Sequence, residues 1–189
     1  MTFEAFLLYY LSMKKLILTL LAFLMMLPAS ALMLQGNAEF NAELAREEVF
    51  NNVNFVLKPS TFQPHWTDAN YMSNYSALQN GKNKVGERYL ALFSDGTYGL
   101  RYENDPYHNY YYDAEGVLFK VDVLNKPFNE YPHSSIAYNK YGVFKNATFV
   151  VSKKEQYFYD VNKKLIGHWI DNACYDSKGN VLLLRRNAN

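Results

Sequence analysis

The stretch Tyr112-Asp113-Ala114-Glu115-Gly116-Val117-Leu118 reads as a hairpin. A strand ends on tyrosine, turns through Asp-x-x-Gly, and leaves on apolar residues. Aspartate at the first turn position accepts backbone N–H groups, and glycine closes the turn in a conformation that side chains disfavour. Variants return at Tyr138-Asn139-Lys140-Tyr141-Gly142-Val143-Phe144, at Tyr159-Asp160-Val161-Asn162-Lys163-Lys164-Leu165 and at Tyr175-Asp176-Ser177-Lys178-Gly179-Asn180-Val181. In the third of these copies Lys163 stands where glycine is expected. The runs that follow (117–124, 143–151, 165–170 and 181–186) are rich in strand formers. Val117, Phe119, Val121 and Val123 share one face against Lys120 and Asp122. The uneven spacing of the phrases predicts a meander of hairpins rather than a strict solenoid.

Upstream, a period of two begins at Val85. Residues 88–93 read as a strand, Asp95-Gly96 as a tight turn with both central residues at positive φ, and 97–102 as the return strand. There Tyr98, Leu100 and Tyr102 share one face, while Thr97, Gly99, Arg101 and Glu103 share the other. That alternation predicts one packed face and one wet face. Residues 58–84 are rich in Pro, Ser, Thr, Asn and Gly and predict a long loop with little regular structure. Residues 53–57 read as a first strand. Residues 37–53 hold the only good helical pattern, with Phe40, Leu44 and Ala45 opposite Glu43, Arg46, Glu47 and Glu48, and Asn37 as a cap. This helix is expected to cover one sheet face.

The N-terminal segment reads as an address. Met13-Lys14-Lys15 is a basic start, residues 16–27 are an apolar run broken only by Thr19, and Pro28 precedes Ala29-Ser30-Ala31. Those parts, in that order, form a secretory signal peptide cut after Ala31. The run is short for a membrane span, so no stable span is expected after cleavage. Glu4 is out of place in such a leader, and Met13 is the expected true start. Removing Lys14, Lys15 and Glu4 leaves acid and base in balance, and no nucleic-acid partner is expected. Apolar residues make up 49% and charged residues 20%, which is globular composition. Cys174 is the single cysteine, so no intrachain disulfide forms and a buried thiol is expected. The fold expected is mainly β: an antiparallel hairpin meander sheet with one N-terminal helix. It is divided into a leader (1–31), a helix and first strand (32–57), a loop-rich segment (58–84) and the hairpin region (85–189).

Motifs for chemistry are absent from the sequence. His65, His108, His133 and His168 make no H-E-x-x-H, H-x-H or Cys/His spacing, and no G-x-S-x-G elbow occurs. The turn aspartates lack the D-x-[DN]-x-[DN]-G spacing of a calcium loop. No cofactor or metal is expected. The basic pairs, Arg185-Arg186 among them, read as solvated strand ends. Asn74-Tyr75-Ser76 and Asn146-Ala147-Thr148 match the glycosylation pattern by composition alone.

The aromatic content is high, at 17%, and most of it is tyrosine. Tyr107-His108-Asn109-Tyr110-Tyr111-Tyr112 is the densest stretch. Exposed tyrosines beside Asn and His stack sugar rings or form protein interfaces, although strand alternation places neighbours on opposite faces. The candidate binding residues are Tyr107, His108, Tyr110, Tyr111, Tyr112 and Trp66. The Y-D-x-x-G-x-L phrase resembles the hairpin unit of the YD (RHS-type) repeats and of MORN-like bacterial repeat proteins, over residues 110–186 at most. Tyr110 to Gly116 is also similar to the aromatic-turn unit of cell-wall-binding repeats. The resemblance implies a scaffold or ligand-binding surface rather than a catalytic centre. The expected function is an exported, non-catalytic envelope or secreted module that binds polysaccharide or another envelope protein through an aromatic sheet face. The alternatives are a secreted hydrolase-like enzyme with a site assembled in space from His65, His108 or His133, and a structural subunit with an unpaired apolar sheet edge.

Overall fold

The computed structural model describes residues 38–51, 53 and 56–186. The expected leader, with Met13 and Ala31, lies outside them, as does the cap Asn37. Residues from Ala42 onward form one compact unit. The elements are helix α1 (Ala38–Phe50), short 3-10 turns at Pro59–Thr61 and Gln63–His65, and helix α2 (Tyr71–Gln79). The strands are β1 (Lys84–Val85), β2 (Arg88–Phe93), β3 (Tyr98–Tyr102), β4 (Asp105–Tyr112), β5 (Leu118–Leu124) and β6 (His133–Asn139). They continue with β7 (Phe144–Ser152), β8 (Glu155–Tyr159), β9 (Leu165–Ile170), β10 (Ala173–Tyr175) and β11 (Val181–Arg186). The protein is therefore mainly β, an antiparallel meander. Its sheet does not stay open. Strands β2 to β11 each pair with the next in sequence, and β11 returns to pair with β2. The result is a closed, ten-stranded up-and-down barrel, with β1 as an extra short strand on β2.

Closure explains the recurrence of the hairpin phrase. Successive connections alternate between the two ends of an up-and-down barrel, so the loops after β2, β4, β6, β8 and β10 share one end. Those are the phrase turns. In each of the last four, the first Asp or Asn accepts two backbone N–H groups with one side-chain oxygen. Asp113 takes Glu115 and Val117, Asn139 takes Tyr141 and Val143, Asp160 takes Asn162 and Lys164, and Asp176 takes Lys178 and Asn180, all at 2.8–3.1 Å. The fourth turn residue has positive φ in every copy: Gly116, Gly142, Gly179 and, at 64°, Lys163. The copy without glycine thus keeps the same geometry.

The turn after β2 follows the same backbone pattern, with Phe93 in the aspartate's place. The Phe93 amide donates to Thr97 and the Gly96 amide donates to Phe93. The sequence predicts positive φ at both Asp95 and Gly96, but only Gly96 adopts it. A longer loop relieves Asp95, whose carboxylate instead holds the Thr97 amide.

A second regularity accompanies the phrases. The register slips at the end of every phrase-bearing strand: between Tyr111 and Tyr112, Ala137 and Tyr138, Phe158 and Tyr159, and Cys174 and Tyr175. Each slip inserts one extra residue in the partner strand, a β-bulge that bends the strand and re-aims a side chain. Repeated around the sheet, such bends help a twisted sheet close.

The N-terminal segment packs outside the barrel. Val49 and Ala45 of α1 are fully buried, the Tyr159 hydroxyl donates to the Ala42 carbonyl, and Phe50 meets Phe144 and Tyr159 edge to face. Residues 53–57 do not form the predicted strand among the described residues. Val56 makes only an isolated bridge to Val143, because the phrase turn it meets offers a single partner: the Leu57 amide donates to the Gly142 carbonyl at 2.8 Å. Segment 58–84 is also more regular than its composition predicts, since it contains α2. That helix is stabilised by what it covers. Ala77 and Leu78 are buried, and Asn74, fully buried, donates to Asp68.

Two predictions follow from the turns. Alanine at Gly142 meets a left-handed backbone and places its Cβ 2.1 Å from the Leu57 carbonyl, whereas at Gly179 it meets only the backbone term. Gly179→Ala is expected to cost about 1 kcal/mol and Gly142→Ala at least about 2 kcal/mol more, by urea denaturation. Equal costs contradict the docking of residues 56–57 on that turn. In the same assay Lys163→Gly is expected to raise stability by up to about 1 kcal/mol, since the left-handed penalty exceeds glycine's extra unfolded freedom.

Candidate functional site

Closing a sheet turns one of its faces into an interior. Which face lies inside is settled by a single cavity of 480 Å³ lined by side chains from all ten barrel strands. Phe93 of β2, Arg101 of β3, Tyr111 of β4, Asp122 of β5, Thr148 of β7 and Trp169 of β9 are among them. A second cavity of 330 Å³ adjoins it toward the other end, under the 125–132 connection, and the two share Arg101, Tyr111, His133, Gln156 and Arg185. The inward residues are therefore those that the alternation assigns to water. The bulges add to this wall: Phe119, Ile166 and Leu182, the extra residues at three of the slips, all line the larger cavity.

The wall carries more polar groups than it pairs. Asn109, Asp122, His133, Ser135 and Thr148 are buried. The Tyr111 hydroxyl donates to Asp122 at 2.8 Å, and the Lys120 ammonium lies 3.5 Å from the other Asp122 oxygen and 3.7 Å from the Tyr111 ring centre. Arg101 donates to Asn109 at 2.8 Å, and Arg185 donates to the Asp171 carbonyl at 3.0 Å while lying over Trp169. Among the described residues neither arginine forms an ion pair with a carboxylate. Burial, then the nearby Arg101 charge, push the Arg185 guanidinium below its ordinary value. His133 bonds to the Glu130 carbonyl at 2.7 Å, and burial pushes its pKa down, which keeps the ring neutral near pH 7. Ser135 Oγ, Asn146 Oδ1 and Arg185 Nε are buried without a hydrogen-bond partner. A buried polar group left unpaired costs about 1–3 kcal/mol, so each is a place where a bound molecule gains by supplying a partner.

The candidate residues of the tyrosine stretch are split by alternation. Tyr111 alone contributes its ring to the cavities. Tyr110 and Tyr112 point outward and are buried beneath the N-terminal segment, Tyr110 under His65 at 4.0 Å between centroids and Tyr112 stacked on Tyr98 at 5.4 Å. Tyr107 is exposed, and His108 bonds to Asp105 at 2.7 Å. Trp66 lies in the N-terminal segment, edge to face with Tyr141, its carbonyl accepting the Leu118 amide. The outer tyrosines serve packing, and several are fixed by carboxylates: Tyr98 donates to Asp68 and Tyr110 to Asp105.

Of the histidines considered for a spatial site, two meet: His65 and His108 both pack on the Tyr110 ring, at 4.0 and 6.0 Å between centroids, beside Asp105. His65 and His108 are on the outer wall, and His133 is inside. Arg185, predicted as a solvated strand end, is a lumen residue, because Leu184 and Arg186 take the outward positions of β11. Asn74 lies buried on α2, and Asn146 is a half-buried residue of the lumen wall whose side-chain oxygen is buried. Cys174 is buried as expected; burial raises its thiol pKa, and its sulfur lies where a side chain on Gly167 would sit. Sequence reasoning missed Arg101, Asn109, Asp122, His133, Ser135 and Arg185 as one constellation. Their shared signal is a polar residue at the inward phase of successive strands.

Comparison of the chain with family models, with curated proteins and with solved structures finds no match in any of the three.

The tyrosine packing has a pH signature. Burial raises the pKa of Tyr98, Tyr102, Tyr110, Tyr111, Tyr112 and Tyr159 above the ordinary value of 10.0. A raised folded pKa means a contribution fully present below pH 10 and lost as pH climbs toward the folded values. Absorbance titration is expected to show this set ionising only in a cooperative step that coincides with loss of far-ultraviolet circular dichroism. Smooth ionisation of all tyrosines with the fold intact contradicts the packing.

Proposed function

We propose that this protein is an exported, non-catalytic binding protein that holds a small molecule inside its barrel. The observation that carries the reading is the 480 Å³ lumen, lined from every strand and edged with buried polar atoms that have no partner. Its volume falls in the range of small-molecule sites, and its mix of aromatic wall and few polar groups is what such sites use. Export rests on the leader-like order of residues 13–31.

A polysaccharide or a folded envelope partner needs an exposed aromatic face. Here Tyr110 and Tyr112 are buried, and Tyr107 stands alone as an exposed member of that stretch. A structural subunit polymerising through a sheet edge has little to work with, because the ten barrel strands are paired on both sides. A hydrolase needs a nucleophile in reach of a base. In the lumen Ser135 Oγ meets no base, and His133 is held by a backbone carbonyl.

The test is a fluorescence titration of the purified protein with N-phenylnaphthylamine, a neutral aromatic probe. Saturable binding of one probe per chain is expected. Val150→Trp and Gln156→Trp each place bulk at the junction of the two cavities and are expected to weaken binding by more than about tenfold. Circular dichroism checks that each variant folds. Unchanged binding in a folded lumen-filled variant moves the site out of the barrel and ends this reading.

A further inference from the structure

The charges inside the barrel do not cancel. Lys120 lies against Asp122, which also accepts the Tyr111 hydroxyl, so that carboxylate already has its counter-charge and a donor. His133 is kept neutral by burial. Asp95 and Lys153, each on an exposed turn at the cavity margins, offset one another in charge, and Arg101 and Arg185 remain, each held by a neutral oxygen, Arg101 by Asn109 and Arg185 by the Asp171 backbone. They come from strands on either side of β2, and both line both cavities, which places them at the waist of the lumen. Arg185 retains a buried Nε without a partner, and Ser135 a buried hydroxyl. Guanidinium groups are fork-shaped donors that match planar and tetrahedral oxyanions. Two of them in a partly buried interior, neither ion-paired with a carboxylate, form a site that suits an anion.

The walls of the larger cavity define the rest of the molecule. Phe93, Trp169, Phe158 and Ile166 line it, with Phe93 edge to face against Trp169 at 6.3 Å and tilted on Tyr111 at 6.1 Å. These are apolar and aromatic surfaces, toward the end of the barrel that carries the phrase turns. We propose that the lumen ligand is an amphiphilic anion: one oxyanion group, carboxylate, sulfonate or phosphate, set between Arg101 and Arg185, and an apolar or aromatic body lying toward the phrase-turn end. This deepens the lumen-binding reading and rests on it.

A matched pair of probes tests the assignment. Anilinonaphthalene sulfonate has the ring system of N-phenylnaphthylamine with one sulfonate added. The purified protein is expected to bind the sulfonate at least about tenfold more tightly than the neutral probe, as charge-assisted hydrogen bonds to guanidinium provide. That preference is expected to collapse toward equal affinities in Arg101→Gln and in Arg185→Gln, each read as a ratio of the two probes on the same preparation. Arg185→Lys, which keeps the charge without the fork, is expected to retain part of it. Equal affinities in the unaltered protein overturn the anion assignment and leave the lumen reading standing. A preference that survives both glutamine variants overturns it as well, by placing the sulfonate elsewhere. If neither probe binds, the lumen reading falls and this inference with it. The comparison in the unaltered protein decides the matter even if a glutamine variant does not fold.

Discussion

The pairing of the last strand with the first long one governs the rest of the structure. β11 meets β2 through only two residue pairs, Arg185 with Phe93 and Arg186 with Leu92, supported by hydrogen bonds between Ser94 and Leu184. Without that seam, β3 to β11 form an open meander, and Arg101, Asn109, Asp122 and Thr148 lie on a solvated face. With it, the same face becomes a lumen whose buried polar groups need partners. The tyrosine face is committed the other way. It becomes the outer wall and is buried only because α1, α2 and the segment between them lie over it.

The hairpin phrase is where local chemistry and global closure agree. Asp or Asn at the first position ties down two amides, the fourth residue bends the chain through positive φ, and the preceding tyrosine packs outward. The bulge beside each phrase adds bend, and at three of the four it turns an extra residue, Phe119, Ile166 or Leu182, into the lumen. Gly116 and Gly142 have a further duty: their carbonyls accept the Asp68 and Leu57 amides, so two phrase turns also anchor the covering segment. At Gly142 the approach is so close that a Cβ has no room, which turns a turn residue into a docking residue. Lys163 meets the covering segment through its side chain instead, its ammonium lying 5.4 Å from the centre of the Phe50 ring of α1.

Strands and turns were legible in the sequence because they are local. Residues 88–93, 165–170 and 181–186 match β2, β9 and β11 to the residue. Alternation was legible too, and it correctly separated Tyr98, Leu100 and Tyr102 from Gly99 and Arg101. Which face meets water was not, because that depends on a contact between residues 92–93 and 185–186, nearly a hundred positions apart, whose register no local pattern encodes. Helix α2 was hidden for a related reason. Its nine residues have weak propensity, and it forms over Tyr98, which meets the rings of Tyr71 and Tyr75, with Asp68 holding Asn74 and the Tyr98 hydroxyl at once. The tyrosine stretch drew attention as a surface because rings are easy to see in a sequence. Its one residue of functional interest, Tyr111, is marked only by phase.

The two unpaired arginines and the narrow seam belong to one physical problem. Arg185 sits on the closing strand, paired in register with Phe93, and its Nε is buried without a partner. Burial, and then the nearby Arg101 charge, push its pKa below the ordinary value. The side chain that completes the wall is repelled across β2 by a like charge. An anion between the guanidinium groups replaces that repulsion with two attractions and does so only in the closed state, since opening the seam separates the arginines. Binding and closure are then linked: whatever the ligand contributes by preferring the closed barrel stabilises the seam by the same amount. On the proposed lumen reading, a pair of like charges that is unfavourable for an isolated fold becomes intelligible as the place an anion would occupy.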